Sequence, residues 1–263
     1  MKKFFGIILI VLLFWSILIE PNLLIVKKYQ IKNTDMAGLR VVFVSDLHLK
    51  RGASHRLERV VSKIKKQNPD ILLFGGDFFE ETNLDNLALI DDIALQFVSL
   101  KPKYGMFAVL GNHEMWSDSV GIANILRNHG IKVLNDENYL IKIDNKKFYI
   151  VGLVDVVTQQ VDLSKALFDV KNPVILLSHS PDIFADIPQN VDLVLAGHTH
   201  GGQVNIPFVG RPIVPSDFGD KYAYGLIEED SKKMIVTSGI GTSILPIRFN
   251  CPPEIVVIDF CKE

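Results

Sequence analysis

The sequence predicts an α/β fold, and three observations lead to that prediction. Short apolar runs of strand length alternate with amphipathic stretches of helical length. Of the 263 residues, 48% are hydrophobic and 22% are charged, values typical of a globular protein with a substantial core. Metal-ligating residue types recur directly after the apolar runs, where open α/β sheets bind their ligands. We expect one large domain at residues 35–263, preceded by an N-terminal appendage.

The first half of this domain predicts three strands, each followed by a helix. The expected strands are LRVVFVSD (39–46), DILLFGGD (70–77) and GMFAVLGNH (105–113). The expected helices are 54–69, 84–100 and 119–130. Ser54 is placed to cap the first helix, and Gly130 to end the third, because glycine tolerates the left-handed backbone found at helix C-termini.

The second half predicts a β-hairpin and then more strands. The hairpin is expected at 138–155, where apolar and polar residues alternate around the turn DNKK (144–147). A Gly/Pro-rich loop is expected at 201–219. The remaining strands are expected at 173–179, 191–198, 232–240 and 254–260.

The N-terminus departs from this pattern, because residues 4–19 are almost entirely apolar and follow two lysines. A helix of this length reaches roughly 24 Å, somewhat less than the ~30 Å hydrocarbon layer. A cleaved signal peptide, a short uncleaved anchor and a buried helix are all conceivable. SILIEP lacks a small-residue cleavage pattern, and a buried terminal helix would show a polar stripe. We therefore expect a single-pass anchor to the cell membrane within residues 1–26, with lysines on both sides that do not indicate its orientation.

Composition argues against two further classes of protein. A formal net charge of −2 gives no general affinity for nucleic acid, so we expect no nucleic-acid partner. Cys251 and Cys261 are too few for a disulfide framework, and their spacing matches no zinc pattern. We expect both to be buried or free thiols.

Five of the predicted strands end in residues that bind metals. Five of the seven histidines lie at these ends, whereas His55 and His129 fall in predicted helices and are expected at the surface. The candidates are Asp46 and His48 in VSDLHL, Asp77 in GGDFF, Asn112 and His113 in LGNHE, His179 in LLSHS, and His198 and His200 in AGHTHGG.

These residue types fit a site for two metal ions. Imidazole suits zinc, iron and manganese, and carboxylates suit harder divalent ions. A lone carboxylate such as Asp77 could bridge two neighbouring ions. Any one of these motifs alone is more often a simple turn. Five such motifs, each directly after a predicted strand, are hard to explain by chance. The glycines that would let the backbone approach the ions are Gly75, Gly76, Gly111, Gly197, Gly201 and Gly202.

The ordered motifs SDLH, GGD, GNHE, SH and GHTH resemble those of the calcineurin-like metallophosphoesterase superfamily over about residues 39–203. The trailing GGQV, the EP after the apolar segment and the late SGIGTSILPIRFNCPPEI resemble its membrane-associated bacterial branch. That branch includes phosphodiesterases acting on UDP-2,3-diacylglucosamine, a lipid A precursor. The resemblance implies a four-layer α-β-β-α sandwich, with two mixed sheets flanked by helices.

The resemblance also divides the ligands between two divalent ions and assigns a catalytic residue. It implies that Asp46, His48 and His200 hold one ion, that Asn112, His179 and His198 hold the other, and that Asp77 bridges them. His113 would be the catalytic acid beside the metals, with its ring oriented by Glu114 or by a backbone group. A hydroxide bridging the ions would attack phosphorus. Glu80 stands where purple acid phosphatases carry a tyrosine ligand, so no tyrosinate-iron site is expected, and manganese, zinc and iron stay open.

The substrate is less well defined by the sequence. The 201–219 loop is unusually apolar, so it either packs on the core or forms an apolar wall for an acyl chain or the membrane. Arg211 and Arg248 are candidate phosphate-binding residues, since guanidinium can hold phosphate through two hydrogen bonds. The favoured hypothesis is a membrane-tethered phosphodiesterase or pyrophosphatase acting on a lipid-linked or nucleotide-sugar phosphate. The alternatives are a general phosphoesterase acting on soluble phosphates, wall polymers or phosphoproteins, and a non-catalytic scaffold.

Overall fold

The helices and strands of the computed structural model, which describes residues 2–80, 86–143 and 146–262, follow the alternation of the sequence. The helices are α1 Lys2–Phe14, α2 Ser54–Lys65, α3 Asn86–Val98, α4 Asn112–Met115, α5 Ser119–Asn128 and α6 Leu163–Ala166. The strands are β1 Ile25–Lys32, β2 Arg40–Val44, β3 Ile71–Phe74, β4 Met106–Ala108, β5 Ile131–Val133, β6 Glu137–Ile143, β7 Lys146–Gly152, β8 Val174–Leu177, β9 Leu193–Ala196, β10 Gly225–Glu229, β11 Lys232–Val236 and β12 Glu254–Cys261.

The strands form two mixed six-stranded sheets. The first has the order β1-β12-β2-β3-β4-β5, in which only the β12–β2 pair is antiparallel. The second has the order β10-β11-β9-β8-β7-β6, in which the two edge pairs are antiparallel. The central parallel strands are buried on both faces, which explains why they read as continuous apolar runs.

The alternation of side chains along β2 shows how the layers are built. Val42 and Val44 face one way and join the apolar side chains of α2, α3 and α5. Val41 and Phe43 face the other way, toward residues of the second sheet such as Ile175. The far side of the second sheet packs on α6 and on the 3₁₀ turn Pro181–Asp186. The predicted arrangement of two mixed sheets flanked by helices is confirmed.

The predicted elements are present, with ends that differ by a few residues. Asp144 and Asn145, in the predicted hairpin turn, lie outside the described residues. Gly130 has a φ of +80° just beyond α5, as predicted. The predicted cap at Ser54 is wrong, because α2 is preceded by Ala53 and no side chain caps it. Three strands, β1, β5 and β10, were not predicted.

Strand β1 lies at the edge of the first sheet and pairs in parallel with β12 over its full length. Its sequence IVKKYQIK mixes apolar and charged residues, as an edge strand with one solvated side can. The sheet therefore begins before residue 35.

The apolar N-terminal stretch is helical, with a π-helical turn at Trp15–Ile19 and a 3₁₀ turn at Glu20–Asn22 after α1. Among the residues that the structure describes, no helix is both long enough and apolar enough to cross a membrane.

Candidate dimetal site

The fold brings all seven predicted metal ligands to one edge of the molecule, where the two sheets meet. Each ligand follows the C-terminal end of a parallel strand, as expected for open α/β sheets. The first sheet supplies Asp46 and His48 after β2, Asp77 after β3, and Asn112 at the start of α4 after β4. The second sheet supplies His179 after β8, and His198 and His200 after β9. His55 is exposed, and His129 bonds Asp91 on the surface, as predicted.

Three of these side chains form a first group, Asp46, His48 and His200, whose ligand atoms lie within 4.8 Å of one another. The Nε2 atoms of His48 and His200 are 3.1 Å apart, and His200 Nε2 lies 3.7 Å from Asp46 Oδ1. All three side chains are buried. One carboxylate and two imidazoles converging in this way could hold one divalent ion.

A second group lies beside the first and contains Asp77, His179 and His198, again with ligand atoms within 4.8 Å. His179 Nε2 is 3.0 Å from Asn112 Oδ1 and 3.2 Å from His198 Nδ1. The amide oxygen of Asn112 therefore points into the same space as the two imidazoles. This group could hold a second ion.

Asp77 lies between the two groups. Its Oδ2 atom is 3.5 Å from His48 Nε2 in the first group and 3.4 Å from His179 Nε2 in the second. An oxygen almost equidistant from both groups could bridge two ions, as the sequence predicts for this residue.

The backbone at the candidate ligands is strained. A positive φ is uncommon in residues other than glycine, and each instance costs of order 1–3 kcal/mol. Such strain clusters where the chain must aim side chains at a functional site. Among the candidate ligands, five have a φ between 41° and 66°, namely Asp46, His48, Asp77, His198 and His200.

Two glycines leave room for this arrangement. Gly76 has a φ of +92°, and a Cβ there would collide with the backbone nitrogen of Gly111. A Cβ on Gly111 would lie 2.7 Å from the His179 ring and would also collide with Asp77. Both positions therefore require the absence of a side chain.

Burial lowers the pKa of three imidazoles of the site, whereas at His179 burial is outweighed by the neighbouring Asp77, which raises the pKa of the ring well above its ordinary value. Burial lowers the pKa of His48 and of His198 to about 3, and it lowers the pKa of His200 well below the ordinary value. Burial alone would raise the pKa of Asp77, but the neighbouring His179, His48 and His113 outweigh it and hold that pKa below its usual range. Neutral imidazole and ionised carboxylate are the forms that bind metals, so His179 would release its proton when an ion binds.

His113 lies at the mouth of the site, where its side chain is 13% exposed. Its Nδ1 atom is 2.9 Å from the carbonyl oxygen of Glu80, so a backbone group orients the ring. Its Nε2 atom is 4.0 Å from Asp77 Oδ2, and its ring packs edge-on against His48. His113 can also be grouped with His48 and Asp77 at ligand distances, so its assignment as an acid stays a prediction.

Glu114 has a different role from the one predicted, which was to orient the His113 ring. Its fully buried carboxylate accepts hydrogen bonds from the backbone N–H groups of Asp77, Phe78 and Gly111. Burial raises the pKa of Glu114 to about 8. The side chain thus joins the loop carrying Asp77 to the start of α4. In the sequence, its position directly after GNH is the one signal that could have indicated this role.

The late loop at residues 237–241 also supports the site, a role that the sequence analysis did not assign to it. A Cβ on Gly239 would lie 2.7 Å from Asp46 Cβ, and one on Gly241 would lie 2.5 Å from His48 Cβ. This loop therefore packs directly behind the first group.

The two arginines proposed as phosphate-binding residues lie in different surroundings. Arg248 is fully buried, and its guanidinium donates to the carbonyl oxygens of Ser238, Gly241 and Cys251. These bonds hold the 237–241 loop and do not present the guanidinium to a phosphate. Arg211 donates to the carbonyl oxygen of Gly201 at 2.9 Å and pairs with Asp220.

The two cysteines are free, as predicted. Cys251 is buried, and its sulfur lies 3.4 Å from the carbonyl oxygen of His200. Cys261 is half-buried at the end of β12.

Comparison with known proteins agrees with this geometry. The family model for calcineurin-like phosphoesterases matches residues 39–202, which contain every predicted ligand. An uncharacterized metallophosphoesterase of Aquifex aeolicus (strain VF5) is 33% identical over 91% of this chain and 93% of its own length. Phosphodiesterase YaeI of Escherichia coli (strain K12) is 31% identical over 85% of this chain and 82% of its own length.

A further relative has a more specific name. The UDP-2,3-diacylglucosamine pyrophosphatase LpxG of Chlamydia trachomatis is 28% identical over 93% of this chain and 91% of its own length. The family match covers more than half of the chain, and the candidate ligands lie where two divalent ions would be held. The chain therefore belongs to the calcineurin-like phosphoesterases and is a metal-dependent phosphoester hydrolase that uses two divalent metal ions.

Proposed function

We propose that this chain cleaves a phosphodiester or pyrophosphate bond in a lipid-linked or nucleotide-sugar substrate, such as UDP-2,3-diacylglucosamine, while its N-terminal segment holds it at the membrane. The main support for metal-assisted hydrolysis of a phosphate ester is the position of Asp77 between two ligand groups, with His113 beside them. The similarity to LpxG along nearly the whole chain supports the substrate class.

The residues of the site would divide the chemistry among them. Asp46, His48 and His200 would hold one ion, Asn112, His179 and His198 the other, and Asp77 both. Two divalent ions there would lower the pKa of a water molecule toward neutrality and neutralise charge on the phosphoryl oxygens.

His113 would supply the proton to the departing oxygen. A carbonyl oxygen can only accept, so the bond to Glu80 keeps a hydrogen on Nδ1 of His113. In the protonated ring the second hydrogen is then on Nε2, at the mouth of the site. That atom is placed to donate to the leaving group.

The N-terminal segment supports membrane attachment. The described side chains of α1 are apolar and largely exposed, including Phe4, Ile7, Ile10 and Val11. Exposed apolar surface of this extent is typical of contact with a membrane or another protein. We take the membrane as the location of the enzyme.

The test is hydrolysis by the full chain of bis-p-nitrophenyl phosphate and of UDP-2,3-diacylglucosamine, each with manganese and after chelation. We expect manganese-dependent turnover of both. If the enzyme hydrolyses only soluble phosphates, it is a general phosphoesterase and the proposed lipid-linked substrate is wrong. If neither compound is hydrolysed with any of manganese, zinc or iron, the proposal is wrong.

A further inference from the structure

The middle of the apolar loop at 201–219 does not pack on the core. Phe208 is fully exposed, and Val209 and Ile213 are 74% and 77% exposed. A second loop close by, at 243–247, presents Ile244 at 93% and Leu245 at 58% exposure. We call these five residues the tip surface. Five large apolar side chains exposed on two linked loops are unusual for a protein that is not bound to anything there.

The backbone at the two tips is strained. Phe208 has a φ of +69° and Ile244 a φ of +62°. A positive φ in a bulky or β-branched residue is a true outlier. Strained backbone that displays an apolar side chain outward is better explained by a binding role than by folding.

Hydrogen bonds join the two loops to each other and to the site. Gln203 Nε2 donates to the carbonyl oxygen of Ser243 at 3.0 Å, and its Oε1 accepts from the Ser243 N–H at 2.8 Å. The Gln203 N–H donates to the carbonyl oxygen of His200, also at 3.0 Å. Gln203 therefore holds the start of both loops next to a candidate metal ligand.

The second loop is also joined to the N-terminal helical segment. The Arg248 N–H donates to the carbonyl oxygen of Ser16 at 2.9 Å. Ile244 is four residues from Arg248, so its Cα lies within about 14 Å of it. The tip surface is thus a neighbour of the segment that continues into α1.

The exposure of α1 indicates what covers this region. Apolar residues are exposed around the whole helix, whereas a folded protein partner would cover one face of it. A lipid bilayer surrounds a helix on all sides. The described apolar residues of α1 that are exposed are Phe4, Ile7, Ile8, Leu9, Ile10, Val11, Leu12, Leu13 and Phe14.

We propose that the tip surface enters the bilayer interface that receives α1, as a second contact that turns the mouth of the dimetal site toward lipid headgroups. This inference rests on the proposed membrane attachment and adds to it a fixed orientation of the site. The substrates of the enzyme would be phosphate esters that stay embedded in the bilayer during hydrolysis.

The first test uses tryptophan as a probe in the full chain, with vesicles of phosphatidylcholine and phosphatidylglycerol. Phe208→Trp adds a fluorophore at the tip, and Phe168→Trp adds one at a residue 79% exposed elsewhere. We expect brominated lipids to quench the added emission at 208 and not at 168. Equal quenching, or none at 208, would overturn the proposal, and this result does not depend on which substrate the enzyme hydrolyses.

The second test separates orientation from attachment. The double variant Phe208→Asp/Ile244→Asp should lose about tenfold or more of its turnover of a vesicle-embedded phosphodiester, because burying two large apolar side chains is worth more than a factor of ten in affinity. Turnover of bis-p-nitrophenyl phosphate should stay unchanged. The matched control is Phe168→Asp/Val120→Asp, two exposed residues outside the tip surface. Equal losses in both double variants would contradict the proposal.

Discussion

At the scale of single residues, His113 is where acid and ligand roles can be separated. We expect His113→Ala to lower kcat by about 10²–10⁴-fold, the usual contribution of general acid–base catalysis, because this side chain lies at the mouth of the site. Metal analysis of the purified variant should still give close to two ions per chain. His55→Ala, at an exposed histidine, is the control.

Loss of an ion from the His113→Ala protein would contradict the role of His113 as an acid. His113 lies within ligand distance of His48 and Asp77, so the geometry leaves room for coordination. In that case the residue would be a ligand, and the proton donor would have to be sought elsewhere.

The position of Asp77 predicts a contrast between two ligand variants. His200 belongs to the first group only, whereas the Asp77 carboxylate lies between both groups. His200→Ala should keep about one ion per chain, and Asp77→Ala should keep neither at moderate metal concentration, because a bridging ligand serves both ions. Metal content and manganese titration of the two proteins measure this. An Asp77→Ala protein that keeps one tight ion would show that Asp77 serves a single metal.

At the scale of elements, the start of α4 depends on Glu114. Its carboxylate satisfies three buried N–H groups, of Asp77, Phe78 and Gly111. Glu114→Ala leaves all three without a partner and should lower the free energy of unfolding by about 3 kcal/mol or more. Chemical denaturation of the metal-free protein measures this loss. Glu58→Ala, on the exposed face of α2, is the control and should change stability little.

The segment after α1 is an integral part of the domain. Glu20 is buried, and its carboxylate accepts from the N–H of Cys251 and from the indole of Trp15. Glu20→Ala should lower the free energy of unfolding by about 2 kcal/mol, because a buried N–H loses its partner. The same denaturation experiment applies, and a loss no larger than that of Glu58→Ala would show that the segment is only loosely attached.

Elements with a strong local pattern could be predicted from the sequence, and those defined by distant partners could not. Helix α2 has its apolar residues on one face, and β3 is a continuous apolar run, so both were predictable. Strand β1 carries IVKKYQIK, whose charged residues conceal a strand that exists because β12 pairs with it along its full length.

The site shows the same division. The candidate ligands were predictable because each follows an apolar strand, which local sequence reveals. Arg248 was expected to face phosphate, but it is buried because carbonyl groups of residues 238–251 surround it. Nothing local to RFNCP distinguishes a guanidinium that binds backbone from one that binds substrate. Glu114 likewise acquires its partners only through the fold.

At the scale of the whole molecule, the candidate site joins the two sheets. Asp46, His48, Asp77 and Asn112 come from the first sheet, whereas His179, His198 and His200 come from the second. Both ligand groups contain residues of each sheet. Ions bound there would cross-link the two halves of the sandwich and would bind the folded state only.

Removal of the metals should therefore lower thermal stability as well as activity. A ligand at about 100 times its Kd stabilises the folded state by about 2.7 kcal/mol, which for a domain of this size corresponds to a rise in Tm of roughly 5–10 °C. We expect the chelated protein to regain this difference when manganese is added, as measured by calorimetry. Asp77→Ala is the matched control and should show little shift, because its bridging carboxylate is missing. If wild-type protein melts at the same temperature with and without metal while hydrolysis still requires it, the ions add no stability to the folded state, and the cross-link between the sheets is wrong.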